Sequence, residues 1–159
     1  MSSFSQTYGG SIRVRVGGIC IENNRLLLVR LQNFGQLGYF WLPPGGGVQL
    51  GETLEAALQR EFAEETGLQV TVERFLCANQ VVVPPLHAIE FFFVVRILAG
   101  ELRVGSDPEL PPQQQMIDCV RWLTWEEIQQ LPAGACHNLF QHSQNLTELL
   151  QLQGIYQLL

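Results

Sequence analysis

With 159 residues, 47% of them hydrophobic and 23 of them glycine or proline (15 and 8), the chain has the size and composition of one globular domain, and disorder is excluded as its general state. No apolar run reaches the roughly 18 residues of a spanning helix. The opening Met-Ser-Ser-Phe-Ser-Gln lacks the basic region and apolar core of a signal peptide. Fifteen acidic residues against nine basic ones, all arginine, leave a net charge of −6, which speaks against a nucleic-acid polymer or an anionic membrane as partner.

In chain order, residues 1–9 are polar and expected to fray. Residues 12–21 alternate apolar and polar and predict a strand. Asn23-Asn24 signals a turn, and 25–31 resumes as a second strand, so a hairpin is expected. Residues 32–47, with Pro43-Pro44 and three consecutive glycines, read as a loop. A helix follows over 53–66, with Thr53 as N-cap and Gly67 as stop. Residues 69–83 predict one or two strands and the apolar run 88–98 a central one. A Pro/Gln-rich loop at 105–115 precedes a short strand at 119–123. Thr124-Trp125-Glu126-Glu127 is a capping box that opens a further helix, and 137–152 reads as a last one. This order predicts one domain over residues 1–159, of the α+β class or a three-layer sandwich.

Cys20, Cys77, Cys119 and Cys136 stand far apart along the chain and form no Cys-x-x-Cys pair. They read as small core residues in a reducing, cytoplasmic setting. His87, His137 and His142 carry no motif.

The charge is concentrated. Five of the fifteen acids (Glu52, Glu55, Glu61, Glu64, Glu65) crowd between positions 52 and 65, and with Arg60 the segment 46–68 carries −4 of the −6. At about 100° per residue, Leu54, Ala57 and Leu58 begin a core-facing stripe that Glu61, Glu65 and Glu64 continue. Carboxylates there repel one another at i,i+4 and oppose the helix dipole in the last turn. Their convergence on one face, with backbone carbonyls, suits a hard divalent cation such as Mg²⁺ or Mn²⁺. The glycine run Gly45-Gly46-Gly47 lets backbone approach a ligand just ahead of that helix.

Gly46, five residues, Glu52, seven residues and Arg60-Glu61-Phe62-Ala63-Glu64-Glu65-Thr66-Gly67-Leu68 resemble the complete signature of the Nudix hydrolases, with nine specified positions filled between Gly46 and Leu68. The resemblance implies an α/β/α sandwich around a mixed sheet. It implies metal-dependent cleavage of a nucleoside diphosphate linked to another group. It further implies that Glu64 and Glu65 ligate the metal with the Gly45 carbonyl, and that Glu61 is a further ligand or the general base. Arg60 would hold Glu61, and Glu52 would support the loop–helix geometry. A fourth carboxylate outside the signature is expected at Glu109, with Asp118 as the alternative.

The substrate is less defined. Pro84, a short way beyond the signature's end at Leu68, is similar in placement to a proline of ADP-ribose-cleaving members. Trp41, with Phe34, Tyr39 and Phe40 near it, is placed to stack a base. Arg30, with Arg13 and Arg15 as alternatives, is placed to grip phosphate. Three readings stand: hydrolysis of ADP-ribose or a nucleotide sugar; hydrolysis of (d)NTPs with release of pyrophosphate; and a sensing module without turnover, which the intact carboxylate set argues against. Leu146, Leu149, Leu150 and Leu152 cover either the domain's own core or the interface of a homodimer.

Overall fold

The alternation Arg13-Val14-Arg15-Val16 does form a strand, β1 (Arg13–Ile19), but not one arm of a hairpin. In this computed structural model, which describes residues 10–108 and 110–159, β1 lies in a five-stranded sheet. The chain then crosses at Cys20 to a second sheet, where β2 (Ile21–Glu22) and β3 (Arg25–Gln32) form the hairpin. Asn23 and Asn24 turn it with φ of 50° and 58°, the left-handed values that a two-residue turn demands. The turn is therefore where expected, while its two long flanking strands belong to different sheets. Residues 1–9, expected to fray, and Glu109 lie outside the described residues.

The expected loop 32–47 holds two more strands, β4 (Tyr39–Leu42) and β5 (Gly45–Gly47). Glycine composition hides β5, because its register comes from β1: Arg15, Val16 and Gly17 pair with Gly47, Gly46 and Gly45. Gly45 has φ of 154°, and a Cβ there would strike the Val16 carbonyl, so the close pairing demands glycine. Helix α1 (Leu54–Thr66) is capped as expected: the Thr53 hydroxyl accepts from the Ala56 N–H at 3.1 Å, and Gly67 closes it at φ of 75°.

Beyond the helix, β6 (Leu68–Val83) and β7 (Leu86–Gly100) form one long antiparallel hairpin with Pro84-Pro85 between them. The five-stranded sheet runs β5-β1-β7-β6 and ends on a last strand, β9 (Ile155–Leu158), with β7 parallel to β1 at its centre. In the other sheet, β3 pairs with β2 and β4, and with β8 (Ile117–Leu123). The Thr124 capping box opens α2 (Trp125–Gln129). The helix expected over 137–152 is instead a 3-10 segment (Asn138–His142) and a short α3 (Leu146–Leu149). The Gln/Leu-rich end beyond it includes β9, parallel to β6. Asn145 starts α3 afresh and Gly154 turns the chain at φ of 79°, so two local breaks defeat the longer helix.

Alternation along β7 explains the layers. Phe91, Phe93, Val95 and Ile97 pack toward α1 with Ala57, Leu58 and Phe62. Phe92 and Val94 pack on the opposite face with Trp125, Ile128, Leu139 and Leu149. Helices thus flank the strands on both sides, an α/β/α arrangement around a mixed sheet. Cys20 and Cys77 are fully buried in these two cores. Among the described residues, no helix is long and apolar enough to cross a membrane.

Candidate active site

The conflict seen in α1 has a structural resolution. Ala57, Leu58 and Phe62 are buried, and the same side brings Glu61, Glu64 and Glu65 inward, Glu65 to 8% exposure. The face meets β5, whose lack of side chains leaves room for carboxylates. A Cβ on Gly46 would collide with the Glu61 head group. The Gly45 N–H donates to Glu65 Oε2 at 2.9 Å.

Arg60 organises the rest. Its Nε and Nη2 donate to Glu52 Oε1 and Oε2 at 2.7 and 3.0 Å, a two-point fork. Nη1 donates to Glu61 Oε1 at 2.9 Å and to Glu64 Oε2 at 3.2 Å, while Nη2 also reaches the Gly47 carbonyl at 3.0 Å. One guanidinium therefore ties three glutamates and β5 together. Glu52 also accepts the Gln49 N–H at 3.0 Å, which fixes the loop ahead of the helix.

Electrostatics separates these acids. The Arg60 fork, with the Gln49 N–H, holds Glu52 down to about 2. Burial pushes Glu65 up to about 8; the Gly45 N–H and Arg15 oppose this, while Glu61 and Asp107 add to it. Burial also raises Glu61, against the pull of Arg60. Segment 103–106 closes the end of α1: the N–H groups of Arg103, Gly105 and Ser106 donate to the carbonyls of Thr66, Glu65 and Glu64 at 2.9, 2.9 and 3.2 Å. Orphan carbonyls of the last turn are thereby satisfied. Asp107 follows in the same segment and adds charge near Glu65. Glu109, the expected fourth carboxylate, lies outside the described residues. Its alternative, Asp118, is in the other sheet and forks with Arg30 at 2.9 and 3.0 Å.

The donors on this face are all oxygens, which suits Mg²⁺ or Mn²⁺. Burial without enough positive charge has raised two of the carboxyls, and a divalent cation would reverse that. Among the described residues, no three His, Cys, Asp or Glu side chains already converge to coordination distance. Arg60 takes the place of counter-charge between Glu61 and Glu64.

Next to this face is a cleft of about 240 Å³ between the two sheets. One sheet contributes Arg13, Arg15 and Glu90; the other contributes Leu31, Phe40 and Leu42. Strand alternation places the remaining expected residues. Arg30 and Trp41 are partners in register, share the opposite face from Leu31 and Leu42, and do not line the cleft. Arg30 is engaged with Asp118, and its guanidinium stands 5.5 Å from the centre of the Trp41 ring. Pro84 is in the turn at the cleft's rim, between the lining residues Val83 and Leu86. Of the three arginines considered, Arg13 and Arg15 reach the cleft.

Sequence reading missed Glu90 and His137. His137 Nε2 lies 2.8 Å from Glu90 Oε2, and Asn79 Nδ2 donates to the same oxygen at 2.9 Å. The available signal was an acid in the middle of an apolar central strand, where an unpaired charge would be costly.

Comparison with known proteins gives three kinds of match. Residues 11–143 match the NUDIX domain family. An ADP-ribose pyrophosphatase of Methanocaldococcus jannaschii is 40% identical over 96 residues, which are 59% of this chain and 56% of that one; the chain thus spans little more than half of that relative. An 8-oxo-dGTP diphosphatase of Proteus vulgaris is 33% identical over 91 residues, 57% of this chain and 81% of that one. A NUDIX hydrolase structure from Nitrosomonas europaea superposes with a TM-score of 0.67 at 21% identity, over 82% of this chain and 84% of the other, a likeness of fold.

Proposed function

Because the chain belongs to the NUDIX domain family, we propose that residues 1–159 form one such domain and act as a metal-dependent pyrophosphohydrolase on a nucleoside diphosphate linked to another group, ADP-ribose or a nucleotide sugar. The observation that carries this reading is the gathering of Glu52, Glu61 and Glu64 around Arg60, with Glu65 held by the Gly45 N–H, against a glycine-only strand paired with β1, whose Arg13 and Arg15 line a cleft.

Glu61, Glu64 and Glu65, with the Gly45 backbone, would hold Mg²⁺ or Mn²⁺, which when bound neutralises diphosphate charge and lowers the pKa of a water. Glu61, raised by burial and steadied by Arg60, is either a further ligand or the base that takes a proton from the attacking water. Arg60 is a positioning residue: it fixes the Glu61 and Glu64 carboxylates, while Glu52 fixes Arg60. Gly46 keeps the Glu61 head group close to the backbone and leaves the ligand unobstructed. Arg15 and Arg13 stand between the carboxylates and the cleft and are placed to fork onto phosphate oxygens. Glu109 remains our proposal for the fourth carboxylate. Arg30, Trp41 and Pro84 would then affect the substrate from behind or beside the cleft. The substrate reading draws support from the name of the Methanocaldococcus relative.

A second reading, (d)NTP hydrolysis with release of pyrophosphate, draws support from the Proteus relative, 81% of whose length this chain matches. One experiment separates them: a panel of ADP-ribose, nucleotide sugars and (d)NTPs, including 8-oxo-dGTP, with Mg²⁺ or Mn²⁺ and direct product analysis. Nucleoside monophosphate plus a phosphorylated partner is the expected outcome. Pyrophosphate would support the second reading, and no cleavage of any substrate would overturn both in favour of a sensing module.

A further inference from the structure

The cleft holds a buried carboxylate that the hydrolytic reading does not use. Glu90, 8% exposed, faces Arg15 across the β1–β7 pair and lines the cleft. Its surroundings fix its hydrogen-bonding state. The Leu139 N–H donates to His137 Nδ1 at 3.1 Å, so that nitrogen carries no proton and the ring's N–H is at Nε2, pointed at Glu90 Oε2. Asn79 gives one amide N–H to the same Oε2 and the other to Asn138 Oδ1 at 3.1 Å, and its oxygen accepts from Asn138 Nδ2 at 2.9 Å. Both lone pairs of Oε2 are therefore committed, by donors that are themselves locked. Among the described residues, Oε1 has Arg15 Nε alone, at a long 3.5 Å, and keeps accepting capacity. Burial raises the Glu90 carboxyl, while the hydrogen bonds from His137 and Asn79 and the nearby Arg15 guanidinium oppose it and hold it below the usual range. It is an ionised acceptor at neutral pH.

The walls around this acceptor are apolar and aromatic. Phe40 stands 5.4 Å from Phe34 and 6.4 Å from the His137 ring, and Leu31, Leu42, Val81 and Leu86 complete the lining. A sugar placed there would bury several hydroxyls without partners, whereas a flat heterocycle buries apolar faces and leaves only its edge to satisfy. At about 240 Å³ the cleft is smaller than a typical pocket for a whole drug-sized ligand, so it receives one end of the molecule. The other end has an exit past Arg15 and Arg13. Arg13 reaches over Gly47, and Arg15 acts on both Glu61 and Glu65.

Resting on the diphosphate reading of the neighbouring carboxylates, we propose that this cleft takes the substrate's nucleobase and that Glu90 selects it, Oε1 accepting a hydrogen bond from an exocyclic amino group. The preferred substrates carry an amino-bearing base. A base with a carbonyl at that edge turns an acceptor toward an anion and is rejected. A site built to pair one polar group discriminates strongly against analogues that lack it.

The test is calorimetric binding of AMP, GMP and IMP to the full chain, which needs no turnover. IMP differs from AMP in having a 6-oxygen and an N1–H in place of the 6-amino group and a bare N1, and from GMP by lacking the 2-amino group. The tighter of AMP and GMP should bind at least about tenfold more strongly than IMP. In Glu90→Gln the donors on Oε2 keep the amide oxygen there, so an N–H replaces the acceptor at Oε1 and the preference should shrink to about threefold or less. Equal binding of all three nucleotides by the wild-type chain overturns the proposal, and so does binding of none of them by a folded chain. An unchanged preference in a folded Glu90→Gln removes Glu90 from the role. Affinity that follows the 2′-hydroxyl (AMP against dAMP) but not the amino group would put a ribose in the cleft and also refute it. Cleavage assays on the same preparation keep the two readings apart: absent cleavage sinks the hydrolase, while indifference to the amino group sinks the base-selecting role of Glu90.

Discussion

Replacing Glu65 by glutamine should stabilise the metal-free protein while abolishing its turnover. Burial pushes the Glu65 carboxyl up to about 8 from an ordinary value of 4.5, and it accepts the Gly45 N–H at 2.9 Å. A raised carboxyl contributes stability that is complete below about pH 4.5 and is lost as pH rises through about 8, because the unfolded chain releases a proton that the folded chain retains. At pH 7 that difference spans about 2.5 decades of proton affinity, or roughly 3 kcal/mol. Glutamine has no proton to retain and still offers an oxygen to Gly45. In EDTA at pH 7 the variant should therefore unfold with a midpoint higher by roughly 6–12 °C, at about 2–4 °C per kcal/mol. Thermal or urea denaturation of both proteins at pH 4.5, 7 and 8.5 provides the assay. The gap should be near zero at the lowest pH and widest at the highest. A variant less stable than wild type at pH 7, or a gap that does not grow with pH, would refute the reasoning. With Mg²⁺ present the order should reverse, since only the wild-type carboxylate gains from the ion.

Three further outcomes are expected. Gly46→Ala places a methyl where the Glu61 carboxylate rests, so cleavage should fall by about a hundredfold or more, with a melting temperature within a few degrees of wild type; retained activity would detach Glu61 from the site. Phe62→Ala empties a fully buried position between α1 and the Gly18 backbone and should cost about 3–5 kcal/mol in urea unfolding, with a loss under about 1 kcal/mol contradicting the packing. Burial pushes both Cys20 and Cys77 up to about 12, so a thiol reagent at pH 8 should leave them unlabelled in the native chain and modify them on unfolding, as read by peptide mass spectrometry.

The cleft shows the boundary between what one strand reveals and what two sheets create. An acid at 90 inside an apolar strand is visible in one dimension as a conflict, but its resolution lies in Asn79 on β6, Arg15 on β1 and His137 in the C-terminal third. No local pattern around Glu90 announces partners on three other segments of the chain. Arg30 and Trp41 illustrate the converse. Their residue types suit phosphate and base, yet the register of β3 and β4 turns both away from the cleft and turns Leu31, Phe40 and Leu42 toward it. A shift of one residue in a strand exchanges every side chain between faces, and only pairing sets that parity.

Helix α1, its caps and its inward carboxylates were determined by sequence alone, because helix phase depends on residues three and four apart and caps on their immediate neighbours. The same holds for the Asn23-Asn24 turn and the Thr124 capping box. Tertiary structure decided the rest. It made a strand of Gly45–Gly47 by pairing it with β1, carried β1 and β3 into different sheets, and converted the Gln/Leu-rich end into β9. Strand pairing depends on hydrogen bonds to distant segments, so residues of poor strand propensity are held as strand when a neighbour supplies the ladder.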